Sequence, residues 1–252
     1  MKANFPKISI ITINFNGKKT IRETIESVLN QTYSNIEYIL IDGDSNDGSY
    51  EIIKEYKDKI DILIREKDEG LYDALNKGIS ISTGDFIGLL HSDDIYSSKN
   101  VISEIVKSIK GNEIDCVLSN VRYININGKK SLRKLNALNF KSWMMRFGWM
   151  PPHLGMFIKK KVFDDYGFYL KDFKISADFE FVVRVLIKER ISYKAIDLTS
   201  VLMRKGGKST KNIISTFIIT KEMYKGCKVN GVYTNYLLLL ARIPIKLITQ
   251  YL

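Results

Sequence analysis

Residues Ile8–Asn14 form an apolar, β-branched run that stops at Asn14-Phe15-Asn16-Gly17. Such a run, bounded by turn residues, predicts a buried strand. Residues 18–30 place Ile21, Ile25, Val28 and Leu29 at helical spacing. The alternation then repeats. Strands are predicted at Ile36–Asp42, 60–65, 85–90 and 114–121, and helices at 49–56, Leu71–Ile81 and Val101–Ile109. Strands alternating with helices of this length imply βαβ units and an α/β fold, with a mostly parallel central sheet and helices on both faces. Ligands in such folds bind outside the carboxyl ends of the strands.

Those ends are where the chain turns polar. The first strand ends at Thr12-Ile13-Asn14 and the second at Asp42-Gly43-Asp44-Ser45. The third runs into Lys67-Asp68-Glu69-Gly70, and the fourth ends at His91-Ser92-Asp93-Asp94. One polar turn after a strand means little, but four on one edge, three of them acidic, point to a ligand site.

Beyond Val121 the pattern changes. Asn127-Gly128 predicts a hairpin, residues 140–149 are aromatic and Met-rich, and Pro151-Pro152-His153 breaks the chain. Residues 155–158 predict a short strand. Residues 178–188 predict a helix with Phe181, Val182, Val185 and Leu186 on one side, and residues 191–203 a strand. Asn235, Arg242, Lys246 and Thr249 form one polar stripe in an apolar C-terminal segment, where Pro244 should kink a helix.

Composition narrows the function classes. The chain has 252 residues, 45% of them hydrophobic, enough for a sizeable core. Two Cys and two His, all scattered, exclude a disulfide scaffold and oppose a four-ligand zinc site. Cys116 lies in an apolar run and reads as a buried thiol, which fits a reducing compartment. The net charge is +11. From Arg204 onward nine Lys/Arg face one acid, a balance of +8, so residues 1–203 carry only +3. The excess is therefore C-terminal. A basic amphipathic helix lying on anionic lipid would explain it, and so would a helix docked on the core. Nucleic acid is not an expected partner, because the charge sits beside a Leu-rich segment. No signal-peptide pattern is visible, and no run approaches the ~18 apolar residues of a membrane span. The expected location is cytoplasmic, peripheral to the inner face of the plasma membrane.

Three constellations carry candidate chemistry. The run from Asp42 to Gly48 fails as a calcium loop, since loop positions six and twelve hold Asp47 and Ile53. It reads instead as a strand end, a turn and a helix start. Its carboxylates could bind a base or ribose, or Asp44 or Ser45 could simply cap the helix. In His91-Ser92-Asp93-Asp94 the adjacent carboxylates repel unless a cation is present, and oxygen ligands suit magnesium or manganese. Asp93 is the favoured ligand; Asp94 is a second ligand or a helix cap. Asp178 and Glu180 open a helix but, two residues apart, point in different directions. One can serve as a base while the other pairs with Arg184. His153 lies near Trp143, Phe147 and Trp149, which would suit a sugar-stacking wall.

Together these residues resemble glycosyltransferase family 2, with the GT-A fold. The matching blocks are residues 8–16 (ISIITINFN), 27–33 (SVLNQTY), 39–48 (ILIDGDSNDG), 66–78 (EKDEGLYDALNKG), 83–94 (TGDFIGLLHSDD) and 176–184 (SADFEFVVR). The DGxSxDG and YDAxNKG motifs are similar to the subgroup that builds bacterial surface polysaccharides. The likeness spans about residues 5–204. It implies a transferase domain over 1–204, with a nucleotide-sugar half (5–121) and an acceptor half (122–204), followed by basic helices over 205–252.

The resemblance also implies residue roles. Thr12, Asn14, Asp42, Asp44, Asp68, Asn76, Lys77, Ser92 and Asp93 would bind the nucleotide sugar. Asp93 and Asp94 would hold a divalent metal, Mg or Mn. Asp178 would be the base, and His153, Glu180 and Arg184 would lie on the acceptor side. The expected reaction is inverting transfer from a nucleoside diphosphate sugar, with a UDP-sugar expected, to a lipid-linked saccharide. Two positions depart from the family pattern. Gly43 replaces a second acid, which leaves base recognition to Asp42 or Asp44, and His91 replaces the first Asp of the DxD motif. A nucleotidyltransferase and an inactive transferase partner are the rival readings.

Overall fold

The computed structural model describes residues 5–125, 131–204 and 213–242. One mixed sheet organises the chain. Its first part is β1 (Ile8–Asn14), α1 (Ile21–Leu29), β2 (Ile36–Asp42), α2 (Ser49–Lys54), β3 (Ile62–Arg65), α3 (Leu71–Ile81) and β4 (Phe86–His91). There follow β5 (Ile95–Tyr96), α4 (Val101–Ile109), β6 (Cys116–Ile124), β7 (Ser131–Leu135), β8 (Met156–Lys159) and α5 (Lys160–Tyr166). The last elements are α6 (Ala177–Val183), β9 (Tyr193–Arg204), α7 (Ile213–Val229) and α8 (Tyr236–Leu240).

The strand order is β3-β2-β1-β4-β8-β6-β9-β5, with β7 paired to β6. The β1–β2, β1–β4, β2–β3 and β6–β9 pairs are parallel. β8 runs antiparallel between β4 and β6, so the expected parallel succession is interrupted there. β1, β2 and β4 are almost wholly buried, which is why they read as continuous Ile/Leu runs and not as alternations. α1 buries Ile21, Ile25 and Val28 as its spacing predicts, and α4 buries Val101, Ile102, Ile105, Val106 and Ile109.

One buried carboxylate ties the amino edge together. Glu37 accepts hydrogen bonds from Ser9 Oγ, Thr83 N and Oγ1, and Lys7 Nζ. Burial alone would raise its pKa, but these donors outweigh it and hold the carboxyl down at about 2.

The predicted helix over 178–188 is two pieces: α6, then a π-helical turn at Arg184–Lys188. Residues 142–147 form a 3₁₀ segment. The Asn127-Gly128 turn lies outside the described residues, while β6 and β7 on either side pair antiparallel. Lys246, Thr249 and Pro244 also lie outside them. Arg242 is buried, with its guanidinium against Thr220 Oγ1 and Met223 Sδ, and Asn235 Oδ1 caps α8 by accepting from Leu238 N. The described part of the C-terminal polar stripe therefore docks on the core. Of the two readings open for this segment, Arg242 and Asn235 follow the docked helix; helical spacing fixes a common face but not what covers it.

Candidate active site

Three neighbouring strands end at one level. Asn14 of β1, Asp42 of β2 and Arg65 of β3 stand in register, and β4 ends beside them at His91. This edge gathers most of the residues singled out in the sequence.

Asp42 is fully buried. Its Oδ1 accepts from Asn14 Nδ2 (2.7 Å) and Ser45 Oγ (2.7 Å), and its Oδ2 accepts from Ser45 N (3.1 Å). It thus ties the ends of β1 and β2 together and presents no free oxygen to a ligand. Thr12 is also buried and accepts from the Tyr38 hydroxyl. Neither Asp44 nor Ser45 caps α2: the cap position is Gly48, with no side-chain bond. Asp44 is exposed, sits at φ +58 and pairs with Arg65 at 3.1 Å.

Gly43 has a physical reason. A Cβ there would run into the Asp68 carboxylate and would crowd the Phe15 ring. The missing acid leaves room for Asp68, whose Oδ1 accepts from Gly70 N. Gly17 allows a close approach, because a Cβ there would strike Asn14 Oδ1 and Ser92 Oγ. Asn14 Oδ1 is buried and has no hydrogen-bond partner, so an unpaired acceptor lies at the end of β1.

Beside it, ligand atoms of His91, Asp93 and Asp94 lie within 4.8 Å of one another. Burial lowers the His91 pKa, so its imidazole is neutral near pH 7, and its Nε2 is buried without a partner. Burial and the adjacent Asp93 raise the Asp94 pKa, while Asp94 Oδ1 accepts from Arg204 N at 3.0 Å. Asp94 precedes strand β5, so it is not a helix cap. A neutral nitrogen and two carboxylates, one of them short of compensating charge, fit a divalent cation.

Asp178 opens α6 next to this group. Burial raises its pKa, against hydrogen bonds from Phe179 N and the Tyr72 hydroxyl and the nearby His91. Tyr72 also donates to Ile175 O at 2.5 Å, fixing the loop before Asp178. His153 Nε2 meets the Tyr169 hydroxyl at 2.8 Å, and burial holds that imidazole at about 4, hence neutral. Asn76 bonds both N and O of Tyr169 through its side-chain amide. Lys77 pairs with Glu66 (2.8 Å) and Asp73 (3.3 Å). Glu180 is turned inward, bound to Arg184 at 2.9 Å and to Asn230 Nδ2 at 2.9 Å. Trp143 lines a separate groove of about 360 Å³ with Arg146, Arg190 and Tyr193.

Four residues had no role assigned from the sequence. Phe15 is 64% exposed on the carboxyl edge. Arg65 stacks over Tyr50 and bridges Asp42 and Asp44. Tyr72 holds Asp178. Glu222 of α7 accepts from Lys174 N, Ile175 N and Ser176 N at 2.8, 3.0 and 2.9 Å. It is the one acid after Arg204, which could have marked it. Glu222→Ala strands three loop N–H groups and is expected to cost about 3 kcal/mol. The midpoint of thermal unfolding should drop by roughly 6–12 °C, and an unchanged midpoint would contradict the clamp.

On one edge of this mixed sheet stand carboxylates, a metal-competent cluster and a buried acid, the arrangement of an α/β protein with a candidate ligand site at its strand ends. The family model for glycosyl transferase family 2 matches residues 9–171, and the chain belongs to that family. It is 30% identical over 193 residues to an uncharacterized glycosyltransferase of Mycobacterium tuberculosis, covering 76% of this chain and 73% of that protein. Over 121 residues it is 36% identical to the UDP-Glc:alpha-D-GlcNAc-diphosphoundecaprenol beta-1,3-glucosyltransferase WfgD of Escherichia coli, covering 48% of this chain and 47% of that one. S. aureus TarS 1-349, solved with UDP-GlcNAc, shares the fold with a TM-score of 0.65 at 17% identity, over 86% of this chain and 66% of that chain. The mannosyltransferase PcManGT of Pyrobaculum calidifontis, solved with GDP-Man and Mn2+, gives 0.63 at 15%, over 90% and 64%. Among the described residues, no helix is long and apolar enough to cross a membrane.

Proposed function

We propose that this chain is an inverting, metal-dependent hexosyltransferase that uses a UDP-sugar and a lipid-linked saccharide acceptor in surface polysaccharide synthesis. The observation that carries this reading is the juxtaposition of the His91, Asp93 and Asp94 cluster with the buried Asp178 on one sheet edge. The diphosphoundecaprenol-linked acceptor in the name of the E. coli relative supports the acceptor class.

Residues 5–121 form the donor half. The exposed Phe15 ring offers a stacking face to the base, and the Asp68 carboxylate over Gly43 accepts from its N–H group. Asn14 Oδ1 and Ser92 Oγ face the ribose and phosphate side. Asp93, Asp94 and His91 would hold the metal, which offsets charge on the departing diphosphate. Lys77, fixed by Glu66 and Asp73, adds positive charge on that edge. Residues 122–204 form the acceptor half, with His153 beside the acceptor and Glu180–Arg184 bracing α6. Asp178 takes the proton of the acceptor hydroxyl as its oxygen bonds to the anomeric carbon from the face opposite the diphosphate. The bond from that carbon to the diphosphate oxygen breaks, so the configuration inverts.

A thermal-shift screen of UDP, GDP, dTDP and CMP, with and without manganese, tests the donor site. A ligand at a hundred times its dissociation constant stabilises by about 2.7 kcal/mol. A manganese-dependent shift with UDP is expected. No shift with any nucleotide would favour an inactive partner.

A further inference from the structure

We propose that the outer face of α7 and α8 docks on an anionic lipid bilayer. On α7, Phe217, Lys221, Lys225 and Lys228 follow at intervals of four, four and three residues, which is one helix face, and all four are exposed. Phe217 is 71% exposed. On α8, Leu237 (80%) and Leu240 stand in solvent, with Tyr233 exposed just before them. The rings of Tyr224 and Tyr236 stack at 4.7 Å and join the two helices, so the two faces are neighbours.

This unit buries Met223, Cys227, Val232 and Leu239, yet it also leaves Phe217, Tyr233, Leu237 and Leu240 outside beside the lysines. A face of that kind calls for an apolar cover. The charge selects the cover. Lys221 and Lys228 have no ion-pair partner among the described residues, whereas Lys225 pairs with Asp172. A second copy would bring the same positive charge and repel, whereas anionic headgroups above acyl chains match both the lysines and the leucines. Glu222, on the inner side of α7, holds the loop leading to Asp178, so docking would set the site edge beside the bilayer.

Sedimentation of the full chain with vesicles tests this surface. Vesicles of phosphatidylglycerol mixed with phosphatidylcholine should carry the chain down, and phosphatidylcholine alone should not. Lys221→Gln with Lys228→Gln should weaken binding about thirtyfold. Leu237→Ser with Leu240→Ser should weaken it at least tenfold. Both double variants should keep the parent unfolding midpoint to within a few degrees. A chain left in the supernatant, or binding that neither double variant changes, overturns the proposal. Dimers lost in the leucine variant and not displaced by vesicles would put a second copy on this face and overturn it equally. None of these outcomes bears on the UDP and manganese response, so failure here is distinguishable from failure of the transferase reading.

Discussion

Asp178→Asn is expected to lower kcat by about 10²–10⁴-fold, the usual contribution of a positioned base, with donor affinity nearly unchanged. The amide keeps the side-chain shape and can still accept from Phe179 N, as Asp178 Oδ1 does at 2.8 Å. What it loses is the ability to take a proton. Single-turnover transfer and UDP-sugar binding, measured on the same variant, separate the two. Wild-type turnover in the variant would remove Asp178 from the mechanism. The pH profile gives a second reading. Burial raises the Asp178 pKa above the ordinary carboxylate value of about 4. The base must be ionised to work, so activity is present above that pKa and is lost as pH falls through it. The acid limb of kcat should therefore lie above the usual carboxylate range in the parent and vanish in the variant.

The support around Asp178 explains why a buried acid can be held ready. The Tyr72 hydroxyl has one proton and two neighbours, Ile175 O at 2.5 Å and Asp178 Oδ1 at 3.2 Å. The shorter bond goes to the carbonyl, which leaves Asp178 less stabilised as an anion than a full hydrogen bond would make it. Glu222 fixes the same loop from the other side through three N–H groups. Tyr72 comes from α3 and Glu222 from α7. The position of Asp178 thus depends on segments distant in sequence.

That dependence shows what was legible in the chain. β1, β2 and β4 were readable because strands buried on both faces must be apolar throughout. α1 and α4 were readable because a one-sided helix repeats its apolar residues at three and four. The four polar strand ends were readable as a candidate site, since nothing in a core strand calls for Asp93 or Asp68 at its end. β5 escaped because two residues carry too little pattern, and β8, expected as a short strand over 155–158, is too short at four residues for its pattern to set a direction. Asp42 was visible as an acid, but its saturation was not. Asn14, 28 residues away, supplies one of its donors, and only the in-register ends of β1 and β2 bring them together. Arg242 and Asn235 shared a stripe by spacing, yet the side that stripe faced was decided by Thr220 and Met223 of α7.

Asp93→Ala is the second large effect. It removes the carboxylate that the cluster offers with the fewest internal obligations. Asp94 already accepts from Arg204 N, and Arg204 also donates to the backbone carbonyl of Asp93. The loss should abolish the manganese-dependent part of UDP-sugar binding. It should also lower turnover by on the order of 10²–10³-fold, matching several kcal/mol of lost charge stabilisation. Binding titrations with and without manganese measure the first effect, and transfer at saturating donor measures the second. The fold should persist, since Asp93 is partly exposed and its backbone carbonyl is retained. His91→Asp is the informative companion. It exchanges a neutral nitrogen for a third carboxylate, so it should raise magnesium affinity relative to manganese, because oxygen ligands favour the harder cation. If Asp93→Ala binds the donor as tightly with manganese as without, and as tightly as the parent does, no metal acts through this cluster. Charge on the diphosphate would then have to be met by Lys77 and backbone N–H groups alone.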